Sequence, residues 1–387
     1  MVDSAAAALS LEQVRADVND WPTPAPTTTI THLAIHSTRL PIHMNDTNPL
    51  VSVIALCYNQ SRFVRECLES IRTQTYKNLE LIILDDCSKD DSVAVIRNWI
   101  AEHDVKCVFI AHAENRGICK TLNEALSHAS GKYVMAIATD DVCLPDRIES
   151  HVRQMEALPE DVGVLYSDAL RIDEDGNVLP KKYTEFITIL SNPPTGDIFS
   201  KLLEQNFIPA PATLIRKACY DKVGLYDERL CYEDWDMWLR ISQHYKFVFS
   251  PSISAKYRIV PTSATHLFLG TQTREKLVTD IILRSKYLSL RSVGETQKRI
   301  LKDHIVTAAE AMYEFNYEER NTYLLQALRH DPRLRTLGLF AFSLCAVPYK
   351  FFLGFACRFD HLRRKLRRYG RLRFTLQNDA DQAQHEK

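Results

Sequence analysis

From position 51, short apolar runs recur along the chain, each closed by a polar cluster and separated from the next by a stretch of helical periodicity. Val51 to Leu56, Leu79 to Leu84, Val105 to Ala111 and Tyr133 to Ala138 have the length and near-continuous hydrophobicity of strands buried on both faces. The segments between them, through about Arg72, toward Ile100 and to His128, read as helices, with Ser88 or Asp90 available to cap the second. Strand and helix alternating in this way predict a doubly wound parallel sheet. Cys57-Tyr58-Asn59-Gln60, Asp85-Asp86-Cys87-Ser88, Asn115-Arg116-Gly117 and Asp140-Asp141 follow the four strands, at the edge where open sheets bind ligands. Beyond them, Gly163 to Asp168 reads as a further strand, with a hairpin at Asp173 to Asn177. Pro209 and Pro211 favour an irregular loop before Leu214.

The fourth run ends abruptly in Asp140 and Asp141, with Pro145 suited to open a helix. Adjacent carboxylates at the end of a buried strand repel each other and are costly to desolvate, so a divalent cation or a substrate hydroxyl is their natural companion. Mg²⁺ and Mn²⁺ favour such oxygen donors in combination with substrate phosphates. Aspartate is equally at home in solvated turns and helix caps, and the pair alone leaves both readings open. The same holds for Tyr232-Glu233-Asp234-Trp235. Met237, Trp238 and Ile241 supply an apolar helix face that puts Asp234 in or near a first turn. An acid there suits the helix dipole; beside two tryptophans at a pocket edge it also suits a general base of raised pKa.

At 387 residues the chain can bury a good core, and its net charge of −1 excludes an overall electrostatic grip on nucleic acid. Neither GxGxxG nor GxxxxGK[ST] occurs, which argues against a nicotinamide-dependent dehydrogenase and a P-loop kinase. Its ten cysteines form no CxxC pair and no zinc spacing, as expected of a reducing compartment without disulfides. Acids but no basic, apolar leader mark the first thirty residues, so no signal peptide is expected. Residues 1–48 read as an extension and linker around Trp21-Pro22-Thr23-Pro24, 49–267 as the catalytic domain, 268–332 as a helical region, and 333–387 as an apolar, basic segment. Within the last, Leu337 to Cys357 is mostly apolar but carries Pro348 and Lys350, and the basic run Arg363 to Arg368 follows. An interfacial or re-entrant segment on anionic lipid through 337–374 fits this better than a simple span, and a buried helix pair with a solvated tail is the alternative.

Positions from about 50 to 266 resemble the inverting family 2 glycosyltransferases of GT-A fold, on five blocks in order. These are Val51 to Asn59; Leu84 to Asp90; Asn115-Arg116-Gly117; Thr139-Asp140-Asp141 with Pro145-Asp146-Arg147; and Glu233-Asp234 through Arg240. The resemblance implies a Rossmann-like, mixed, mostly parallel sheet flanked by helices. It also implies that Cys57, Tyr58, Asn59 and Asp85 or Asp86 hold the base and ribose of a nucleotide sugar, with Arg116 nearby. Asp140 and Asp141 match the acidic metal motif, with Asp141 as direct ligand to Mn²⁺ or Mg²⁺ bridging the diphosphate. Asp234 matches the catalytic base, and His266 falls where a loop covers the diphosphate and a metal or phosphate contact is available.

Many relatives carry a further acid at the position of Ala138, and the Gln-x-x-Arg-Trp motif of processive synthases is absent after Asp234. The implied activity is therefore non-processive, metal-dependent transfer of one sugar, with UDP-sugars the commonest donors among similar enzymes. The implied acceptor is a glycan or a lipid-linked (polyprenyl) sugar, in surface polysaccharide assembly on the cytoplasmic side of a membrane. A catalytically silent scaffold of the same fold is a second reading. A sugar nucleotidyltransferase is a third, although Cys57-Tyr58-Asn59-Gln60 lacks the glycine-rich basic loop that it would need.

Overall fold

A computed structural model describes residues 48–187, 192–260 and 273–353. Strands β1 (Val51–Cys57), β2 (Leu79–Asp85), β3 (Cys107–Ala111) and β4 (Tyr133–Ala138) form on the four apolar runs, with α1 (Val64–Arg72), α2 (Ser92–His103) and α3 (Ile118–His128) between them. There follow β5 (Val142–Cys143), α4 (Arg147–Ala157), β6 (Val162–Ile172), α5 (Tyr183–Ile187), α6 (Phe199–Glu204), β7 (Thr213–Arg216), α7 (Lys217–Val223), α8 (Asp234–Ile241) and β8 (Lys246–Arg258). They make one sheet in the order β3-β2-β1-β4-β7-β6-β8-β5. β3, β2, β1 and β4 run parallel, as do β6 and β8; β7 is antiparallel to β4 and β6, and β5 to β8. The result is the expected mixed, mostly parallel sheet.

Alternation along each strand sorts side chains to two faces. Val51, Val53 and Ala55 of β1 meet Cys67, Leu68 and Ile71 of α1 and Ile148 and Val152 of α4, whereas Ile54 points the other way, into a core shared with Leu122 and Ala125 of α3. Each fully buried Val, Leu or Ile among them contributes about 1.5–3 kcal/mol. With both faces covered, the polar loops after β1, β2 and β4 are left at the carboxyl edge. β8 was not expected: its Ser and Pro residues dilute the apolar pattern, yet it is held by a long parallel register to β6.

Among the described residues there follow α9 (Arg274–Leu288), α10 (Glu295–Glu314), α11 (Arg320–His330) and α12 (Leu334–Leu344). Leu283, Tyr287, Val293 and Leu301 belong to the same apolar cluster as the sheet's own Ile54 and Val134, so that core runs past position 268. The described residues, from Asn48 to Leu353, form one compact unit. Leu277, Ile305, Met312, Leu324, Leu339 and Phe352 build a second core among the helices. The apolar stretch from Leu337 is interrupted: α12 stops at Leu344, Ala346 takes a positive φ of 54°, and helix resumes after Pro348. No helix among the described residues is long and apolar enough to cross a membrane. The extension before Asn48, His266 and the basic run at 363–368 lie outside the described residues.

Candidate active site

With so few glycines, the loop after β1 is fixed by side chains. Asn59 sits at φ 54°, its backbone N–H donating to Ser88 Oγ at 2.8 Å and its Oδ1 accepting the Lys89 N–H at 2.7 Å. Gln60 N–H donates to Ser92 Oγ at 2.9 Å and Ser61 N–H to Asp90 Oδ2 at 2.9 Å. The loops after β1 and β2 are thereby one rigid unit. Cys57 is buried, and burial pushes its thiol up to about 11, so it packs as a neutral group. Tyr58 beside it is 48% exposed and presents its ring outward.

Both acids after β2 support loops. Asp85 accepts Ser88 N–H at 2.8 Å and the Ser88 hydroxyl at 2.5 Å. Asp86 accepts the Arg116 and Gly117 N–H groups, each at 2.8 Å, and a bond from His112 Nδ1 at 2.8 Å. Its carboxyl is held below the ordinary range: these bonds to the charged form outweigh burial, the largest single influence, which acts upward. The left-handed φ of 83° at Gly117 permits the turn that aims both N–H groups at Asp86. The Arg116 guanidinium pairs with Glu124. A cleft of about 710 Å³ beside it is lined by Asn115, Arg116, Lys120, Asn123 and Glu228 among others. None of Asp140, Asp141 or Asp234 lines that cleft, so it is not where the acids act.

Asp140 and Asp141 leave the end of β4 almost wholly buried, 7% and 3% exposed. Burial raises both carboxyls, and the Asp140 charge pushes Asp141 further up. Arg258, at the end of β8, opposes this. Its N–H donates to Asp141 Oδ1 at 2.8 Å and its Nε to the Asp140 carbonyl at 2.8 Å. The same guanidinium reaches the carbonyls of Asp173 and Glu174, each at 3.2 Å, and Glu66 Oε2 at 2.5 Å, and it stacks 4.7 Å over Phe63. One buried arginine thus ties the acid pair to α1 and to the turn after β6. Among the described residues no cluster of three or more His, Cys, Asp or Glu side chains is arranged to hold a metal. Two adjacent buried carboxylates nevertheless match the one-or-two-carboxylate share that Mg²⁺ or Mn²⁺ takes from protein when phosphates supply the rest.

Asp234 opens α8. Asn206 Nδ2 donates to its Oδ2 at 2.9 Å, and the Trp235 N–H to its Oδ1 at 2.7 Å. Burial raises the carboxyls of both Glu233 and Asp234; Glu233, which also feels the Asp234 charge, is pushed up to about 8, while the Asn206 and Trp235 bonds restrain Asp234. At neutral pH Glu233 is therefore protonated. The acid stations at 140–141 and at 234 share a neighbour. The Tyr183 hydroxyl is pushed well up by burial, then by Tyr257, Asp234 and Asp141, and its ring packs edge-on against Tyr257 at 5.2 Å. Asn206, Tyr183 and the clamping role of Arg258 were missed from sequence. Each acts across a long separation that no local pattern records.

Comparison with known proteins follows the same outline. The family model described as Glycosyl transferase family 2 matches residues 52–224. An uncharacterized glycosyltransferase of Methanocaldococcus jannaschii is 31% identical over 219 residues, 54% of this chain and 71% of that protein. One from Rickettsia prowazekii is 29% identical over 58% of this chain and 68% of its own length. Among solved structures, S. aureus TarS 1–349 in complex with UDP-GlcNAc matches with a TM-score of 0.51 at 16% identity, over 75% of this chain and 78% of that one. The mannosyltransferase PcManGT from Pyrobaculum calidifontis, in complex with GDP-Man and Mn²⁺, matches with a TM-score of 0.50 at 18% identity, over 80% and 84%.

Proposed function

Because this chain belongs to glycosyl transferase family 2 and is a glycosyltransferase of GT-A fold, we propose that it moves one sugar per encounter from a nucleotide-diphospho-sugar, with inversion, onto a hydroxyl of a glycan or lipid-linked acceptor. The observation that carries this reading is that one acid from each of two unlike stations, Asp141 beside Asp140 and Asp234 beside Glu233, acts on one tyrosine, Tyr183. Asp234, ionised and oriented by Asn206, takes the proton from the acceptor hydroxyl as its oxygen attacks the sugar C1. The bond from C1 to the diphosphate breaks on the opposite face, and the nucleoside diphosphate leaves with the electron pair. Asp141, with Asp140 beside it, would hold Mn²⁺ or Mg²⁺, which when bound offsets the charge developing on the departing diphosphate. Tyr58 stacks on the nucleotide base, and the backbone of Cys57 and Asn59 lines it, on a loop braced by Asp85 and Asp86. Arg116 approaches the ribose or phosphates.

A UDP-sugar is the proposed donor and surface polysaccharide the product. The protein would act on the cytoplasmic side, resting on the membrane through the face that includes Leu334, Leu337, Leu344 and Phe351, all exposed. Hydrolysis of a panel of UDP- and GDP-sugars, with Mn²⁺ or EDTA, tests the reading on the intact chain and on Asp141→Ala and Asp234→Asn. Metal-dependent release of one nucleoside diphosphate, lost in Asp141→Ala and reduced to a measurable residue in Asp234→Asn, is the expected outcome. No turnover and no nucleotide binding by the folded protein would instead leave a silent scaffold.

A further inference from the structure

The segment that carries Asp234 is gripped from one side by α9. Cys231 N–H donates to Thr279 Oγ1 at 2.9 Å, and the Tyr232 hydroxyl to Asp280 Oδ1 at 2.6 Å. Arg284 stacks over the Trp235 ring at 5.1 Å. Lys286 Nζ donates to Asp236 Oδ1 at 2.8 Å and pairs with Asp227 at 2.6 Å, and Arg240 Nε holds the other Asp236 oxygen at 2.8 Å. Asp236 and Thr279 are completely buried. Residues 231, 232, 235 and 236 thus each meet one face of α9, on both sides of Glu233 and Asp234. Asp234, in the middle, takes its side-chain bonds from elsewhere, from Asn206 and the Trp235 N–H.

α8 is only eight residues long and has no side-chain bond capping its start. A helix of two turns does not fix its own position; its neighbours do. A general base, however, must be held within a fraction of an ångström of the proton it takes, and a displacement of about 1 Å costs roughly 10²-fold in rate. We propose that α9 is the positioning element of the catalytic base: Lys286 through Asp236, and Asp280 through Tyr232, set the backbone on either side of Asp234. On this view the helical region after the sheet is part of the reaction apparatus. The proposal rests on Asp234 being the base.

The test uses the full chain with Lys286→Met, Lys286→Arg, Tyr232→Phe and Asp234→Asn, and Lys286→Met combined with Asp234→Asn. Turnover is read as Mn²⁺-dependent hydrolysis of UDP-glucose, UDP-N-acetylglucosamine and GDP-mannose. Lys286→Met and Tyr232→Phe should each lower kcat, by about tenfold to a hundredfold for the former, with donor KM within about twofold and Lys286→Arg recovering most of the loss. Added to Asp234→Asn, Lys286→Met should cost nothing further, because its effect passes through the missing carboxylate. An equal cost in that background, or kcat and KM moving together with thermal stability, would overturn the proposal. Full activity of Asp234→Asn alone would remove the base assignment instead. Hydrogen exchange needs no donor: both α9-contact variants should speed exchange of the 231–236 amides and leave 51–57 unchanged. Unaltered exchange at 231–236 would also overturn the proposal.

Discussion

Arg258→Met tests whether one side chain holds the acid pair in place. Arg258 is 3% exposed, and its guanidinium makes bonds to three carbonyls and to Glu66. The Asp140 carbonyl is buried, so losing its donor costs about 2 kcal/mol. The Asp173 and Glu174 carbonyls lie on a half-exposed turn that water can reach, and they account for about 0.5 kcal/mol each. The Glu66 side chain is 51% exposed, and after screening that pair is worth about 0.5 kcal/mol or less. Stacking on Phe63 adds about 0.5–1 kcal/mol. A methionine fills much of the volume, and the expected loss is about 3–4 kcal/mol, or roughly 5–10 °C in a melting scan. Arg258→Lys keeps the charge but not the planar fork, and should recover under half of this. Metal-dependent donor hydrolysis should fall by more than tenfold in both variants, since the Asp140 carbonyl loses its guanidinium donor and the turn that carries Asp141 loses its anchor, although the residue 258 N–H to Asp141 remains. Arg258→Met melting within about 1 °C of the native chain, with unchanged turnover, would refute the clamp.

Three further expectations follow from the same geometry. Glu233 keeps its proton to about pH 8 when folded, against about 4.5 for an ordinary glutamate. Between those values the folded chain binds more protons than the unfolded one, so stability falls as pH rises through the window; Glu233→Gln should flatten the slope, and identical slopes in denaturant melts would count against the assignment. Tyr58→Ala should weaken binding of UDP by about fivefold to tenfold, the lower end of base-stacking energies given its half-exposed ring, with Tyr58→Phe unaffected in calorimetry. Replacing two exposed apolar residues, Leu337→Glu with Phe351→Glu, should reduce co-sedimentation with anionic vesicles by at least about tenfold. Failure of the native chain to bind such vesicles would end the membrane reading.

The loops proposed to hold the donor were legible as polar strand ends because their signals are local. β1, β2 and β4 are unbroken apolar runs, and the polar residues that end them sit next to them in sequence. Asp141 and the start of α8 at Asp234 could be found in the same way. Asn206, Tyr183 and Arg258 could not, because each gains its meaning from a partner 28 or more residues away, such as Arg258 with Asp141. β8 was hidden by its serines and Pro251, which an inner strand tolerates here because a parallel neighbour, β6, shifts register beside it. The helices after position 268 offered periodicity and no chemistry, and their contribution shows only where Lys286 meets Asp236.

That division has a mechanistic consequence. The loops after β1, β2 and β3 belong to a stretch where sequence neighbours are also spatial neighbours, and Asn59, Ser88, Asp90 and Asp86 bind them into one frame. Such a frame suits a constant partner, and the nucleotide diphosphate is the constant part of a donor. Asp234 is instead placed by Asn206 from the loop after α6 and by a helix that begins forty residues further on. Elements of that kind can shift relative to the sheet without disturbing the nucleotide frame. Arg258 joins the two halves, because β8 pairs with β6 along one side and ends on the acid pair. Changes in acceptor choice should therefore map to 183–236 and to α9, and should alter kcat for transfer while nucleotide affinity stays constant. Substitutions there that changed nucleotide affinity and acceptor turnover in step would show that the halves are not separable.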